Sequence, residues 1–266
     1  MKIVAIGGGN NSNIHKNGLP MIYEQEVIDR EIISLTNKEK PNVLYISHAS
    51  REGEELDSYK KIENTYGLMY HCPTKLLSIN MLYDLELTNE LVDWADIIYV
   101  GGGNAKQMLD LWYRSGLANK LIDVCNDKVL CGISDGAGCW FKYMCSDYLQ
   151  METGNANAPY MSLKGLGLVD LVFNPHAGYN HRMIGIKNVT EILDMSGLSL
   201  TDNMAIEIID NDYKLIKGIS SEGLEREAII SSWKDGLYNI EPVNETGLIN
   251  ELTNSVNKVY KKGNRH

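Results

Sequence analysis

A chain of 266 residues, 44% hydrophobic and 23% charged, has the composition of a globular protein and enough length for a sizeable core. Its formal net charge of -10 at pH 7 argues against a nucleic-acid partner, which would call for a basic surface or a dense basic stripe. No apolar run approaches the ~20 residues of a membrane-crossing helix. Met1 to Ile6 leads straight into a strand pattern rather than a signal peptide, so a cytoplasmic protein with no membrane partner is expected. The five cysteines, Cys72, Cys125, Cys131, Cys139 and Cys145, are odd in number and lack C-x-x-C spacing, and read as reduced core residues.

In chain order, Lys2 to Ile6 reads as a short strand ending in Gly7-Gly8-Gly9-Asn10, and Asn11 to Pro20 as a polar loop. Apolar residues at helical spacing predict a helix within Met21 to Leu35, and Asn42 to Ser47 is a second buried strand. A helix over Tyr59 to Leu68, a weaker strand over Met69 to Leu77 and a helix over Leu85 to Trp94 follow. Asp96 to Val100 is the clearest strand and ends in Gly101-Gly102-Gly103-Asn104, with helices behind it through Leu117 and over Ala118 to Asn126. Strands alternating with helices predict a parallel sheet, whose carboxyl edge is where ligands bind.

Next comes Val129-Leu130-Cys131-Gly132-Ile133-Ser134-Asp135-Gly136-Ala137-Gly138-Cys139-Trp140-Phe141. An apolar run, a serine among glycines and apolar residues continuing at helical spacing through Tyr143 and Met144 predict a nucleophile elbow: strand, sharp turn, helix. The short motif also fits a plain glycine turn, and the strand before it and the helix after it are what favour the elbow. Neither glycine loop fits G-x-G-x-x-G, because Ser12 and Lys106 stand at the third glycine position, and neither carries the lysine and hydroxyl of a P-loop. The second loop suits an oxyanion donor better than a nucleotide.

Leu149 to Leu163 reads as an irregular rim, and Leu166 to Phe173 as a strand opening into a loop, Asn174-Pro175-His176-Ala177-Gly178-Tyr179-Asn180-His181-Arg182. A general base belongs on such a loop. His176 is the candidate, while His181 reads as a solvated loop histidine. No metal is expected, since the two histidines lack thiolates or carboxylates at ligand spacing. Asp202 and Glu207 can each orient a histidine: Asp202 sits at a turn, Glu207 on an alternating strand. Asp212 to Ile219 and Ala228 to Trp233 read as strands, and Asp235-Gly236 as a hairpin turn before Leu237 to Ile240. No domain boundary is visible, so 1–266 is expected to be one domain with a frayed basic end at 258–266.

The sequence resembles the peptidase E family of serine peptidases, which includes cyanophycinase, through Ile3 to Gly9, Ala95 to Asn104, the elbow ending Cys139-Trp140-Phe141, Pro175-His176 and Asp202-Asn203-Met204-Ala205. The resemblance implies an α/β, flavodoxin-like three-layer sandwich of the class I amidotransferase type. In it, a mostly parallel sheet has helices on both faces and a C-terminal antiparallel extension. It implies Ser134 as nucleophile, His176 as base and Asp202 as the acid behind it. The N–H of Asp135 and one from the Gly102, Gly103 turn would form the oxyanion hole, with Asn104 and Arg182 binding substrate. It implies cleavage of small Asp-X peptides without metal or organic cofactor, and allows a homodimer.

The chain departs from the family at Asp135, where alanine is usual, and at Ala177, where tyrosine is common. A carboxylate ~5 Å from a forming oxyanion, at an effective dielectric of ~20, is repelled by about 3 kcal/mol, roughly a hundredfold in rate. Three readings follow: an active serine peptidase with a shifted preference; an impaired relative that binds a small peptide or amino acid; and a glutaminase-like amidotransferase, which needs a cysteine where Ser134 stands. An α/β-hydrolase is disfavoured because no convincing acid lies between Ser134 and His176.

Overall fold

The computed structural model describes residues 1–9, 23–219 and 226–253; the loop expected at 11–20 and the tail expected at 258–266 lie outside them. The first half follows the predicted alternation. It runs β1 (Lys2–Ile6), α1 (Glu26–Ser34), β2 (Val43–Ile46), α2 (Glu55–Ile62), a π-helical stretch Glu63–Met69, β3 (Thr74–Leu77), α3 (Leu85–Trp94), β4 (Ile97–Val100), α4 (Ala105–Ser115), α5 (Leu117–Asp123) and β5 (Val129–Ile133). These strands pair in parallel in the order β1-β5-β4-β2-β3. Their near-continuous apolar runs fit a sheet buried on both faces. Val4, Ile6, Tyr45 and Tyr99 face Ile28 and Ile32 of α1 and Ile62 of α2. Ile3, Ala5, Ile46 and Val100 face Val92, Met108, Trp112 and Leu121 of α3 to α5.

The second half departs from expectation at three places. The elbow helix is a single turn, α6 (Asp135–Gly138), and the residues read as its continuation form a strand, β6 (Phe141–Ser146). Gly136 and Gly138 each cost about 1 kcal/mol in a helix, whereas Phe141, Tyr143 and their neighbours suit a strand. Strand β6 doubles back across the turn so closely that a side-chain carbon at Gly138 would lie 2.9 Å from Met144 Cβ. The rim at 149–163 contains α7 (Tyr148–Thr153) and the start of β7 (Met161–Lys164). After β8 (Val169–Asn174), the expected loop ends early in α8 (Asn180–Leu193), whose Ile186 and Val189 pack on Cys145 and Val172. That helix is held by packing rather than by a clear apolar stripe, with Ile184 and Ile192 facing outward.

The remaining elements are β9 (Gly197–Leu200), β10 (Met204–Ile209), β11 (Asp212–Lys217), β12 (Ala228–Lys234), β13 (Leu237–Pro242), β14 (Thr246–Leu248) and α9 (Ile249–Thr253). Strands β10, β11 and β14 extend the first sheet antiparallel from β1. The β12–β13 hairpin, turning through left-handed Asp235 and Gly236, joins a second sheet of order β13-β12-β9-β8-β6-β7. Only β6-β8-β9 is parallel there. The architecture is therefore α/β with two sheets flanked by helices, and its pairing is mixed rather than mostly parallel. The two sheets share a core in which Phe141 stacks on Phe173 at 4.7 Å and Trp112 and Trp140 are fully buried. Burying each such ring stabilises the fold by ~2–3 kcal/mol. Among the described residues no helix is long and apolar enough to cross a membrane, and all five cysteines are free and buried.

Candidate active site

Strand β5 delivers Ser134 to the carboxyl edge of the first sheet in a strained conformation, φ 56° and ψ −132°. Side chains rarely adopt it, and it thrusts the hydroxyl outward, as an elbow requires. Strand β1 organises everything around that serine. Its last carbonyl and the next two accept, in succession, the N–H of Ser134 (Ile6 O, 2.9 Å), of His176 (Gly7 O, 2.9 Å) and of Asn203 (Gly8 O, 2.9 Å). Three segments far apart in the sequence are thus pinned to three consecutive peptide groups. The Gly7-Gly8-Gly9 turn is the frame of the site.

His176 Nε2 lies 2.7 Å from Ser134 Oγ, and His176 Nδ1 lies 2.5 Å from Asp202 Oδ1. An ionised carboxylate at Nδ1 fixes the tautomer: Nδ1–H donates to Asp202, and Nε2 is left to accept the serine proton. Glu207 stays on β10, buried and 3.3 Å from Lys214 Nζ, away from the imidazole. Gly102 sits over the serine: a carbon on it would be 3.0 Å from Ser134 Cβ and 3.5 Å from Oγ. Among the described residues the backbone N–H groups of Gly102, Gly103 and Asp135 have no protein acceptor. Donors of that kind beside a nucleophile can meet a developing oxyanion.

Residues 16–216 match the family model described as Peptidase family S51. The chain belongs to peptidase family S51. A similar protein, the uncharacterized peptidase YgaJ of Bacillus subtilis (strain 168), is 28% identical over 228 residues, 83% of this S51 chain and 87% of its own length. A crystal structure of a peptidase from an acI-B1 actinobacterium superposes with a TM-score of 0.64 at 15% identity, covering 93% of this chain and 96% of that one. A putative peptidase E protein from Listeria monocytogenes EGD-e gives a TM-score of 0.55 at 16% identity, over 82% and 98%. At those identities the two structures speak for the fold.

Two of the residues singled out in the sequence of this S51 peptidase lie elsewhere than expected. The Asp135 carboxylate is buried, with Oδ2 accepting from the Ser146 hydroxyl at 2.9 Å and Oδ1 lying 4.0 Å from Arg182. Burial pushes its pKa up to about 6, opposed by the Arg182 guanidinium. The charges that act on this carboxylate are those of Arg182, Asp147 and His176. Arg182, expected to touch substrate, is itself buried and bonded to Asp147 at 2.7 Å and to the Cys145 carbonyl at 3.4 Å. It ties the start of α8 to the end of β6. Asn104 caps α4 through Gln107 N at 3.1 Å and donates to Glu152 at 3.3 Å. His181 falls in the first turn of α8, exposed and stacked on Tyr179.

A cavity of about 500 Å³ lies beside Gly102 and Gly103, and its walls include Arg51, Glu52, Glu54, Asn104, Gln107 and Met151. Its signal was present in the position of Ser50 and Arg51 just past the carboxyl end of β2, the sheet edge where such folds bind ligands. Among the described residues no group of three or more His, Cys, Asp or Glu side chains is placed to hold a metal ion.

Proposed function

We propose that this peptidase is serine-type and cleaves small peptides through Ser134, His176 and Asp202. The observation that carries the reading is the unbroken line from Ser134 Oγ to His176 Nε2 at 2.7 Å and from His176 Nδ1 to Asp202 at 2.5 Å. Ser134 attacks the scissile carbonyl while its proton passes to Nε2, and Asp202 stabilises the imidazolium so formed. The N–H of Asp135, with that of Gly102 or Gly103, receives the oxyanion. As it collapses, the C–N bond breaks and Nε2 returns the proton to the leaving amine. Water, activated by the same imidazole, then hydrolyses the serine ester.

The cavity next to Gly102 supports a small substrate with a free amino terminus. Its size suits a short peptide, Glu52 and Glu54 offer carboxylates to an α-ammonium, and Arg51 offers a cation to an acidic side chain. Asp-X dipeptides are the substrates we assign. The active reading is supported over the impaired-relative reading by the Ser146 hydroxyl and the Arg182 guanidinium, which face the Asp135 carboxylate. The amidotransferase reading lacks its cysteine: Cys139 is fully buried, with its thiol directed to the Gly136 carbonyl.

The test is labelling with a fluorophosphonate probe together with turnover of an Asp-X panel. Labelling confined to Ser134 and lost in Ser134→Ala, with turnover lost in parallel, is the expected result. An unlabelled protein that turns over no dipeptide would remove the proposal.

A further inference from the structure

Beside His176 a row of rings continues along the start of α8. The Tyr179 ring centroid lies 6.3 Å from that of His176, tilted by 52°. Tyr179 and His181 stack at 5.6 Å and 29°, and His181 and Tyr160 at 6.1 Å and 23°. The row is built rather than incidental. Tyr179 precedes the first residue of α8, where its N–H donates to the His176 carbonyl at 3.1 Å and its carbonyl accepts from Arg182 N at 2.9 Å. Tyr160 is seated against Gly185, where a side-chain carbon would come within 2.5 Å of its Cγ, and the Arg182 guanidinium lies 5.0 Å from its ring centre. The outer end is open, with Tyr179 53% exposed and His181 exposed.

Chemistry says which part of the substrate reaches this shelf. In acyl transfer the imidazole that takes the serine proton gives it to the departing amine, so the leaving residue must lie beside His176. On the imidazole, Asp202 occupies the Nδ1 end and the Gly8 backbone lies along the Cε1–Nδ1 edge. Tyr179 is an exposed ring beside the same imidazole.

We propose that Tyr179, backed by His181 and Tyr160, is the subsite for the leaving residue and selects peptides whose second residue carries an aromatic or large apolar side chain. This rests on the proposed serine mechanism for its orientation. A flat, half-exposed tyrosine offers stacking area at little conformational cost. It gives a glycine or a small polar residue nothing to hold.

The experiment uses dipeptides sharing one first residue and ending in glycine, serine, leucine or phenylalanine. Equilibrium binding to the Ser134→Ala protein is read by calorimetry, and kcat/KM is read in the unmodified enzyme. Phenylalanine is expected to exceed glycine by about threefold to tenfold in both measurements. The ratio should collapse toward one in Tyr179→Ala and persist in Tyr179→Phe. Equal binding of all four peptides, no binding of any, or a ratio unchanged in Tyr179→Ala overturns the assignment. If the enzyme neither labels nor turns over, the serine mechanism fails, and the binding ratio still decides the shelf.

Discussion

The backbone of Gly8 lies flat against the edge of His176: a carbon added to Gly8 would sit 2.3 Å from His176 Cε1, 2.4 Å from Nδ1 and 2.3 Å from Asp202 Oδ1. Gly8 also has φ 153°, a conformation that side chains rarely adopt. Gly8→Ala must therefore displace the imidazole and its carboxylate together. A shift of about 1 Å at reacting groups costs on the order of a hundredfold in rate. We expect kcat to fall by at least that much while the thermal midpoint moves by only a few degrees. Ordinary turnover in Gly8→Ala would show that the imidazole position does not control catalysis.

Asp202 and Glu207 separate in the same way. Asp202→Asn keeps the shape but loses the charge that fixes the imidazole tautomer, and kcat should fall ~10³- to 10⁴-fold. Glu207→Gln removes a buried partner of Lys214, so it should lower the unfolding free energy and leave kcat within about twofold. Steady-state kinetics on the two variants, beside their urea unfolding curves, reads both effects. A larger kcat loss in the Glu207 variant would reverse the assignment.

Arg182 holds the charge balance behind the serine. Replacing it with methionine leaves Asp147 and Asp135 without their cation, and removing one partner of a buried pair typically costs ~3–5 kcal/mol. The Asp135 pKa is raised to about 6, so its carboxyl is neutral below that pH and has less need of a cation. The loss in Arg182→Met should be larger at about pH 8 than at about pH 5. Equal losses from urea midpoints at the two pH values would mean that Asp135 does not titrate there.

Asp29 is fully buried on the inner face of α1, accepting from the Tyr66 hydroxyl at 2.7 Å, and burial pushes its pKa up to about 7. The unfolded chain loses this proton near the ordinary value of 3.8. Between those limits the folded state holds a proton that the unfolded state has released, so the stabilisation is complete below about pH 4 and is lost as pH rises to about 7. Asp29→Asn, neutral throughout, should be flatter in unfolding free energy over that window. The comparison is cleanest between about pH 6 and about pH 7, above the Asp135 transition near 6. A variant with the same slope as the unmodified protein would place the titration elsewhere.

Much of this was legible along the chain because it is local. Apolar runs such as Ile97 to Val100 and Val129 to Leu130 mark strands buried on both faces, and a serine among glycines after such a run marks a turn with an exposed hydroxyl. After Ser134 the helical spacing gives way to glycine and strand propensity: β6 is a strand because a second sheet supplies neighbours for it.

The order of residues settles which groups are on offer: a hydroxyl at Ser134, an imidazole at His176, carboxylates at Asp135, Asp202 and Glu207, and glycines where strands end. Which of them meet depends on the folded chain. Proximity between residues so distant along the chain is created by the consecutive carbonyls of Ile6, Gly7 and Gly8, and the direction of the Asp135 charge is set by Arg182 arriving from α8. Neither leaves a trace in local periodicity, because each depends on hydrogen bonds and charges contributed by another segment.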